Sequence, residues 1–284
     1  MSAAPIAVGL PWVERVLGQR VDPVTKARAA EAVVKRALGS EPGAYVCLTN
    51  VHTTVESQRS ATLRSAVDGA YLSVPDGMPL AWILRRRGYA DTEKVTGIEF
   101  IPLVASRGVD VRLRHFFYGG APGVAVRAGL RLADLVPGAE VVGAVSPPYG
   151  DTMGRGETAY FERELRRTKP HILWVGLGAP KQELWMADVA HRLSVPVMVG
   201  VGAAFDYLAG TKAAAPTILR HVGLEWLFRL AVEPSRLWRR YLVGNARFVG
   251  LLVADAGRRR FARSTRRVSA EAELAEIPPH DRAS

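Results

Sequence analysis

The sequence predicts an α/β protein with a Rossmann-like, mainly parallel sheet in an α/β/α layer and an Arg- and Trp-rich helical appendage at the C-terminus. Three observations predict it. Short apolar runs alternate with longer segments of helical spacing up to residue 222. The runs are apolar enough to be strands covered on both faces, which is typical of parallel sheets. From Leu224 onward the alternation ends and the chain becomes rich in Trp and Arg.

The apolar, β-branched or aromatic runs are the predicted strands, which span 44–49, 70–74, 114–118, 140–145, 171–177 and 195–201. The segments between them are the predicted helices, which span 24–38, 54–67, 77–87, 98–107, 122–134, 156–168 and 181–193. In the appendage, a break near residue 232 is followed by Pro234, which suits the first turn of a new helix, so two helices are predicted there.

We divide the 284 residues into a Rossmann-like catalytic domain (1–222), a helical membrane-proximal appendage (223–257) and a basic, then acidic tail (258–284) that we expect to be disordered. A chain of this length with 48% hydrophobic and 23% charged residues can bury a large core, which excludes wholesale disorder. The single cysteine, Cys47, lies in an apolar run, so no internal disulfide and no Cys-based zinc cluster is expected.

Charge and hydropathy indicate where the protein works. The N-terminal region does not resemble a signal peptide, and no run of about 18 uninterrupted apolar residues is present to span a bilayer. A cytoplasmic protein is therefore expected. The net charge of +11 favours an anionic partner and is concentrated in residues 225–267, which hold eleven arginines against three acidic residues. Apolar residues alternate with these arginines at helical spacing, which suits an interfacial helix on an anionic membrane better than nucleic-acid binding.

Ligands of open α/β sheets bind beyond the carboxyl ends of the strands, so residues that follow the predicted strands are the candidates for a site. Four such junctions are unusual: VPDG at 74–77, GGAPG at 119–123, GLGAPKQE at 176–183 and GVGAAFD at 200–206. In the first, Asp76 fits a general base, which needs a carboxylate within reach of a substrate hydroxyl. A Pro-Asp-Gly turn without chemistry is the plain alternative.

The other three junctions suit a phosphorylated or hydroxylated ligand. Gly119, Gly120 and Gly123 lead into a helix whose N–H groups can receive a phosphate or a sugar hydroxyl, or they form only a tight turn. Gln182 carries an amide that can contact both a donor sugar and an acceptor. Asp206 can accept from ribose hydroxyls or a base N–H, or it can cap a helix.

Arg229, Arg236 and Arg239 are spaced to present guanidinium groups along one helical region, where a solvated face is the alternative. Three guanidinium groups beside a phosphate site can neutralise a diphosphate without a metal. No metal site is predicted, because no Asp-x-Asp directly follows a strand and the six histidines show no ligand spacing. The absence of a Gly-x-Ser-x-Gly elbow argues against a hydrolase triad.

Taken in order, these segments resemble the WecG/TagA/CpsF glycosyltransferase family over about residues 44–245. The resemblance is carried by PDGMP at 75–79, VTG at 95–97, GGxxG at 119–123, GLGAPKQE at 176–183, VGAAFD at 201–206, AG at 209–210, AP at 215–216 and GLEWLxRLxxEPxRxxRRY at 223–241. Each motif is loose, but their order makes a chance match improbable.

The resemblance implies an inverting transfer of N-acetylmannosamine or a related hexose from a UDP-sugar to a polyprenyl-diphosphate-linked saccharide. Such transfers occur at the inner face of the plasma membrane in teichoic acid, enterobacterial common antigen and exopolysaccharide synthesis, without a metal or another cofactor. On this resemblance Asp76 is the base, Gln182 and Asp206 lie near the donor and the nucleotide, and the three appendage arginines close over the diphosphate. Catalysis would then require the appendage to be docked.

Two departures from the family pattern concern the donor. Lys94 stands where an Arg usually precedes the Thr-Gly-x-Asp segment, and the Asp of that segment is here Glu99. At Lys94, an expected catalytic position, the point charge of an ammonium group therefore replaces a guanidinium group that can form two parallel hydrogen bonds. The usual Thr-x-Asn near the first strand is Leu48-Thr49-Asn50, with Asn50 in place and Thr49 shifted. Both Thr49 and Asn50 are predicted to bind substrate or nucleotide.

Three alternatives stay open on the sequence. The first is a UDP-glucose-type hexosyltransferase of exopolysaccharide assembly. The second is an NAD-dependent oxidoreductase, suggested by the sheet pattern but lacking the dinucleotide fingerprint. The third is a nonenzymatic anion-binding protein, suggested by the Arg-rich end. The donor sugar, the acceptor sugar and a homo-oligomeric state are also left open.

Overall fold

The strands of this computed structural model, which describes residues 13–39, 41–147, 155–216, 218–219 and 223–257, form two sheets. They are β1 (Glu14–Val16), β2 (Gln19–Val21), β3 (Ala44–Thr49), β4 (Leu72–Pro75), β5 (Arg114–Gly119), β6 (Glu140–Val145), β7 (Ile172–Gly176) and β8 (Val197–Gly200). The main sheet has the order β4-β3-β8-β7-β5-β6, and every neighbouring pair is parallel. The predicted Rossmann-like parallel sheet is confirmed.

The helices that cover this sheet and follow it are α1 (Lys26–Ala37), α2 (Val51–Glu56), α3 (Ala61–Asp68), α4 (Met78–Arg86), α5 (Gly97–Gly108), α6 (Val124–Leu135), α7 (Arg155–Thr168), α8 (Lys181–Val189), α9 (Ala204–Leu208), α10 (Glu225–Val232) and α11 (Pro234–Trp238). A π-helical turn (Arg239–Val243) follows α11, and α12 spans residues 244–257. The predicted helical appendage is thus present, with its break at Glu233.

The two faces of the sheet bury different apolar clusters, because successive side chains of a strand point to opposite faces. In β5, Phe117 belongs to the cluster beneath α1, α5 and α6, whereas Phe116 and Tyr118 belong to the cluster beneath α3, α7 and α8. Cys47 is buried in the second cluster, as the apolar run around it predicts. Both faces are therefore covered, which gives the expected α/β/α layering.

The hairpin of β1 and β2 was not among the predicted strands. Its interior is held by a buried ion pair in which Arg20 Nε lies 2.8 Å from Asp22 Oδ1. Asp22 Oδ2 also accepts from the N–H of Ser73 (2.8 Å), and Arg20 Nη1 donates to the carbonyl of Ala70 (2.6 Å). These bonds attach the hairpin to β4 and so fix the outer edge of the main sheet.

The helix predicted over 54–67 is wrong in one respect, because the structure divides it into α2 and α3. Residues 57–60 interrupt the helix, and Ser60 then caps α3 by accepting from the N–H of Leu63 (3.1 Å). The earlier start of α2 follows from Asn50, whose side chain accepts from the N–H of Thr53 (3.1 Å). The tail 258–284 and residues 1–12 lie outside the described residues.

His115 makes the stability of this fold dependent on pH. Its side chain is 1% exposed, it accepts from Trp174 Nε1 (3.3 Å), and burial lowers its pKa from 6.5 to about 4. Because the unfolded chain takes up the proton more readily, stability is fully present above pH 6.5 and is lost as the pH falls towards 4. Protonation of this histidine lowers the free energy of unfolding by about 3 kcal/mol over this pH range.

His115→Gln tests this assignment, since glutamine keeps an acceptor for Trp174 and does not titrate. We expect the free energy of unfolding in urea to fall by about 3 kcal/mol less between pH 7 and pH 4 in the variant than in the wild type. Equal pH slopes for the two proteins would show that His115 is not the group responsible.

Candidate active site

The parallel pairing of β3 with β4 places Asn50 beside Asp76. Thr49 lies opposite Pro75 in this pairing, and the N–H of Asp76 donates to the carbonyl of Thr49 (2.7 Å). Beyond the strands, Asn50 Nδ2 donates to Asp76 Oδ2 (3.2 Å). Gly77 then turns the chain into α4 at a φ of 107°, a conformation that other residues rarely adopt. The carboxylate is thereby held at the rim of the sheet.

The loop before α5 brings two more polar side chains to the same rim. The N–H of Val95 donates to the carbonyl of Pro75 (2.8 Å), so Lys94 and Thr96 lie next to Asp76. Glu99, in the first turn of α5, is paired with Lys26 at 3.1 Å. Glu99, which replaces the usual Asp of the family pattern, is thus paired with a lysine of α1. Lys94, which replaces the usual Arg, lines the cavity described next.

A cavity of about 160 Å³ lies between this rim and the C-terminal helices. Its walls combine residues of the ranges 50–96 and 223–245. The lining residues are Asn50, Val51, His52, Asp76, Gly77, Met78, Pro79, Lys94, Thr96, Gly223, Glu225, Trp226, Arg229, Tyr241 and Asn245. Four of these were predicted as site residues: Asn50, Asp76, Lys94 and Arg229. The structure therefore brings the candidate base and one appendage arginine to a common cavity.

Arg229 is held in this cavity by an aromatic ring and a carboxylate. Its guanidinium lies 4.7 Å from the centre of the Tyr207 ring and forms an ion pair with Glu225, one turn earlier in α10. Burial opposes its charge, but Glu225, Tyr207, Tyr241 and Asp76 outweigh burial and raise the pKa of Arg229 above its ordinary value. Arg229 is therefore a fixed positive charge in the cavity that contains Asp76.

Further contacts dock the C-terminal helices onto the sheet domain. Lys212 Nζ lies 3.0 Å from Glu233 Oε1 and 3.9 Å from Asp206 Oδ2, so it links the loop after α9 to the end of α10. Phe248 of α12 is 4% exposed and packs in a third apolar cluster with the β1–β2 hairpin and α4. The helices are thus attached at two separate places.

The other predicted junctions lie along the same carboxyl edge, further from Asp76. Gly119 is the last residue of β5 and Gly120 follows it, with φ values of 127° and 71°. A Cβ on Gly119 would come within 2.6 Å of the Gly176 backbone. Gly123 caps α6 in the left-handed conformation. Four strand intervals separate β4 from β5, which corresponds to about 19 Å. These glycines therefore border a different part of the edge.

Gln182 and Asp206 lie between these two parts, next to the end of β8. Gln182 is 3% exposed, its Nε2 donates to Glu183 Oε1 (3.0 Å), and its Oε1 has no hydrogen-bond partner among the described residues. Asp206 lies in the first turn of α9, after the N-cap Ala203, and its backbone carbonyl accepts from the N–H of Thr211 (2.9 Å). A helix-capping role for Asp206 is thus not what the structure shows.

The remaining predicted site residues are Thr49, Arg236 and Arg239, and neither Thr49 nor Arg239 lines the cavity. Thr49 is fully buried, and its hydroxyl bonds to Ser73 Oγ (2.8 Å), within the sheet. Arg239 is exposed and lies over the ring of Trp238 (5.2 Å). The side chain of Arg236 lies outside what the structure describes. That these three bind substrate or nucleotide stays a prediction.

Several cavity residues were not predicted from the sequence. His52 and Thr96 come from helix starts at the sheet rim, and Glu225, Trp226, Tyr241 and Asn245 come from the appendage. The aromatic pair Trp226 and Tyr241 has ring centres 6.0 Å apart. The sequence signal for Thr96, Glu225, Trp226 and Tyr241 is their place in the motifs that carry the family resemblance.

Two features of the described residues bear on metals and membranes. No three His, Cys, Asp or Glu side chains in this part of the chain are grouped as metal ligands would be. No helix within the described ranges is long and apolar enough to cross a bilayer. Metal independence stays a prediction.

A six-stranded parallel sheet that presents a carboxylate, a lysine and an arginine at its carboxyl edge is consistent with a Rossmann-like glycosyltransferase. Comparison with known proteins identifies the family. Residues 14–262 match the model of the glycosyl transferase WecG/TagA/CpsF family, and the chain belongs to that family.

A related protein from Bacillus spizizenii is N-acetylglucosaminyldiphosphoundecaprenol N-acetyl-β-D-mannosaminyltransferase. It is 26% identical over 205 residues, which cover 72% of this chain and 77% of the relative. The resemblance read from the motifs is thereby confirmed at the level of the family.

Asn50→Ala tests whether the amide orients Asp76 in addition to capping α2. Loss of the cap should lower the free energy of unfolding by about 1 kcal/mol. Loss of the bond to Asp76 should also lower the activity of the site about tenfold, the equivalent of about 1.4 kcal/mol. Unfolding in urea and steady-state kinetics of sugar transfer measure the two effects.

Ser60→Ala is the matched control, because it removes the equivalent cap of α3 away from the cavity. It should lower stability by a similar amount and leave turnover unchanged. If both variants lost activity equally, the effect of Asn50 would be explained by stability alone.

Proposed function

We propose that this protein transfers N-acetylmannosamine or a related hexose from a UDP-sugar to a polyprenyl-diphosphate-linked saccharide, with inversion at the anomeric carbon. The observation that carries the proposal is the carboxylate of Asp76, oriented by Asn50 and facing a cavity that Arg229 helps to close. The relative's name supports the same class, since it describes a mannosaminyl transfer to N-acetylglucosaminyldiphosphoundecaprenol.

Asp76 acts as the general base in the proposed reaction. Its carboxylate accepts the proton of the acceptor hydroxyl as that oxygen forms a bond to the anomeric carbon of the donor. The bond between the anomeric carbon and the β-phosphate oxygen breaks on the opposite face, and its electron pair leaves with UDP. A single displacement of this kind inverts the anomeric configuration.

The charge that develops on the departing UDP is met by cations of the cavity. Arg229 is held as a fixed charge by Tyr207 and Glu225, and Lys94 lines the same cavity. Preorganised charges of this kind stabilise a leaving group without reorganisation during the reaction. We assign the nucleotide to the edge beyond β8, β7 and β5, where Gln182, Asp206 and the glycines 119, 120 and 123 lie.

The C-terminal helices form the proposed membrane-proximal appendage 223–257. They pack against the sheet domain on one side and expose apolar side chains on the other. Exposed apolar side chains there include Leu227, Trp238, Leu242, Val243, Val249 and Val253, each 44–67% exposed. Arginine and tryptophan among them suit the headgroup region of an anionic bilayer. We infer that this surface places the protein on the inner face of the plasma membrane, where the lipid-linked acceptor reaches the cavity.

Asp76→Asn tests the base. The substitution keeps the size of the side chain but removes its capacity to take a proton, so UDP release with a polyprenyl-diphosphate-sugar acceptor should fall by about 10²- to 10⁴-fold. The thermal midpoint should change little. Release by the wild type should persist in EDTA, because arginines rather than a metal balance the diphosphate.

Asp91→Asn, at an exposed carboxylate of the loop after α4, is the control and should leave UDP release unchanged. Undiminished release by Asp76→Asn would remove the base assignment. Loss of wild-type release in EDTA, with recovery on adding a divalent cation, would contradict the metal-free reaction.

Membrane binding is tested by co-sedimentation with vesicles that contain anionic lipid. Replacing Leu242 and Val243 with Asp removes two exposed apolar side chains and adds two negative charges. We expect binding to weaken at least about tenfold, because each buried apolar side chain of this size contributes about 1.5 kcal/mol or more.

The matched control replaces Val126 and Leu130 with Asp, since these exposed side chains share one face of α6 on the sheet domain. This variant should bind vesicles as the wild type does. Equal loss in both variants would mean that the appendage is not the membrane-binding surface.

A further inference from the structure

Thr96 lines the cavity, and its hydroxyl is a buried polar group without a partner among the described residues. Thr96 is 6% exposed, and its Oγ1 has no hydrogen-bond partner among the residues that the structure describes. It precedes α5 with an extended backbone (φ −102°, ψ 141°), yet its side chain does not cap the helix. A Thr at this position ordinarily accepts from an N–H of the first turn, so its unpaired state requires an explanation.

Thr96 lies at the seam between the two parts of the carboxyl edge. On one side, the bond from the N–H of Val95 to the carbonyl of Pro75 (2.8 Å) holds it beside Asp76. On the other side, the next residue, Gly97, packs so closely on the end of β8 that a Cβ there would lie 2.7 Å from Ala204 Cβ and 3.0 Å from Val201 Cβ. Thr96 therefore lies between the base and the edge assigned to the nucleotide.

The group that must occupy this place during the reaction is the transferred sugar, because it joins the nucleotide to the carbon that the activated hydroxyl attacks. A threonine hydroxyl both donates and accepts, which matches a sugar hydroxyl or an acetamido group. We propose that Thr96 binds the transferred sugar of the donor through its hydroxyl. This inference rests on the proposed function and adds a residue that selects the donor sugar.

Thr96→Val and Thr96→Ser test the inference. Valine keeps the shape without the hydroxyl, so donor kcat/KM should fall at least about tenfold, while serine should retain most of it. The KM for the acceptor should change little, and the thermal shift that UDP alone produces should be unchanged. The thermal midpoint of Thr96→Val should be equal to or above that of the wild type, since an unpaired buried hydroxyl is removed.

Thr92→Val is the matched control in the same loop. Thr92 is 2% exposed, but its hydroxyl donates to the carbonyl of Tyr89 (2.8 Å). This variant should lower the thermal midpoint and leave the donor KM unchanged. Comparison of the two variants thus distinguishes a hydroxyl that stabilises the fold from one that binds a ligand.

The possible outcomes are distinguishable. Wild-type kinetics in Thr96→Val, or a rise in the acceptor KM alone, would overturn the assignment to the donor sugar. A lost UDP shift in Thr96→Val would place the hydroxyl on the nucleotide and overturn it as well. If the wild type itself released no UDP from any UDP-sugar with a lipid-linked acceptor, the proposed function would fail and the inference with it.

Discussion

Thr49 lies opposite Pro75 in the parallel pairing of β3 with β4, and this register brings Asn50 within hydrogen-bonding distance of Asp76. A shift of one residue would turn every side chain of the strand to the other face. Two buried hydrogen bonds resist such a shift: the N–H of Ser73 donates to Asp22, and the hydroxyl groups of Ser73 and Thr49 bond to each other. The β1–β2 hairpin therefore contributes to the site although it lies away from the cavity, because it fixes the strand that ends at the carboxylate.

The second constraint is the attachment of the C-terminal helices. Phe248 packs beside the hairpin and α4, while Lys212 links Glu233 to the region of Asp206. Between these two attachments, Arg229 lies over Tyr207 and contributes to the cavity of Asp76. Helix α4 begins next to the carboxylate of Asp76, and it also packs against Phe248 of α12. The two attachments therefore hold the appendage residues of the cavity against the sheet domain.

The sequence could predict those parts of the fold that depend on local pattern. The strand bounds 44–49 and 140–145 agree with the structure residue for residue, because apolar, β-branched or aromatic runs are typical of parallel strands. The β1–β2 hairpin was missed, since its strands have three residues each and its buried Arg20 and Asp22 read as polar surface. Asp76 and Asn50 were found because the carboxyl ends of parallel strands share one edge. Tyr241 and Asn245 could not be found in this way, since docking of distant helices brings them to the cavity.

The same docking distinguishes arginines that the sequence treats alike. Arg229 is fixed inside the cavity by an aromatic ring and a carboxylate, whereas Arg239, ten residues later, is exposed and lies over Trp238. Arg229 lines the cavity proposed to receive the diphosphate, whereas Arg239 does not. In the docked arrangement, Arg239 and Trp238 instead lie on the same outward surface as Leu242 and Val243. Of the described arginines at the end of the chain, Arg229 thus lines the cavity and Arg239 is exposed, a division that suits the proposed transfer to a lipid-linked diphosphate.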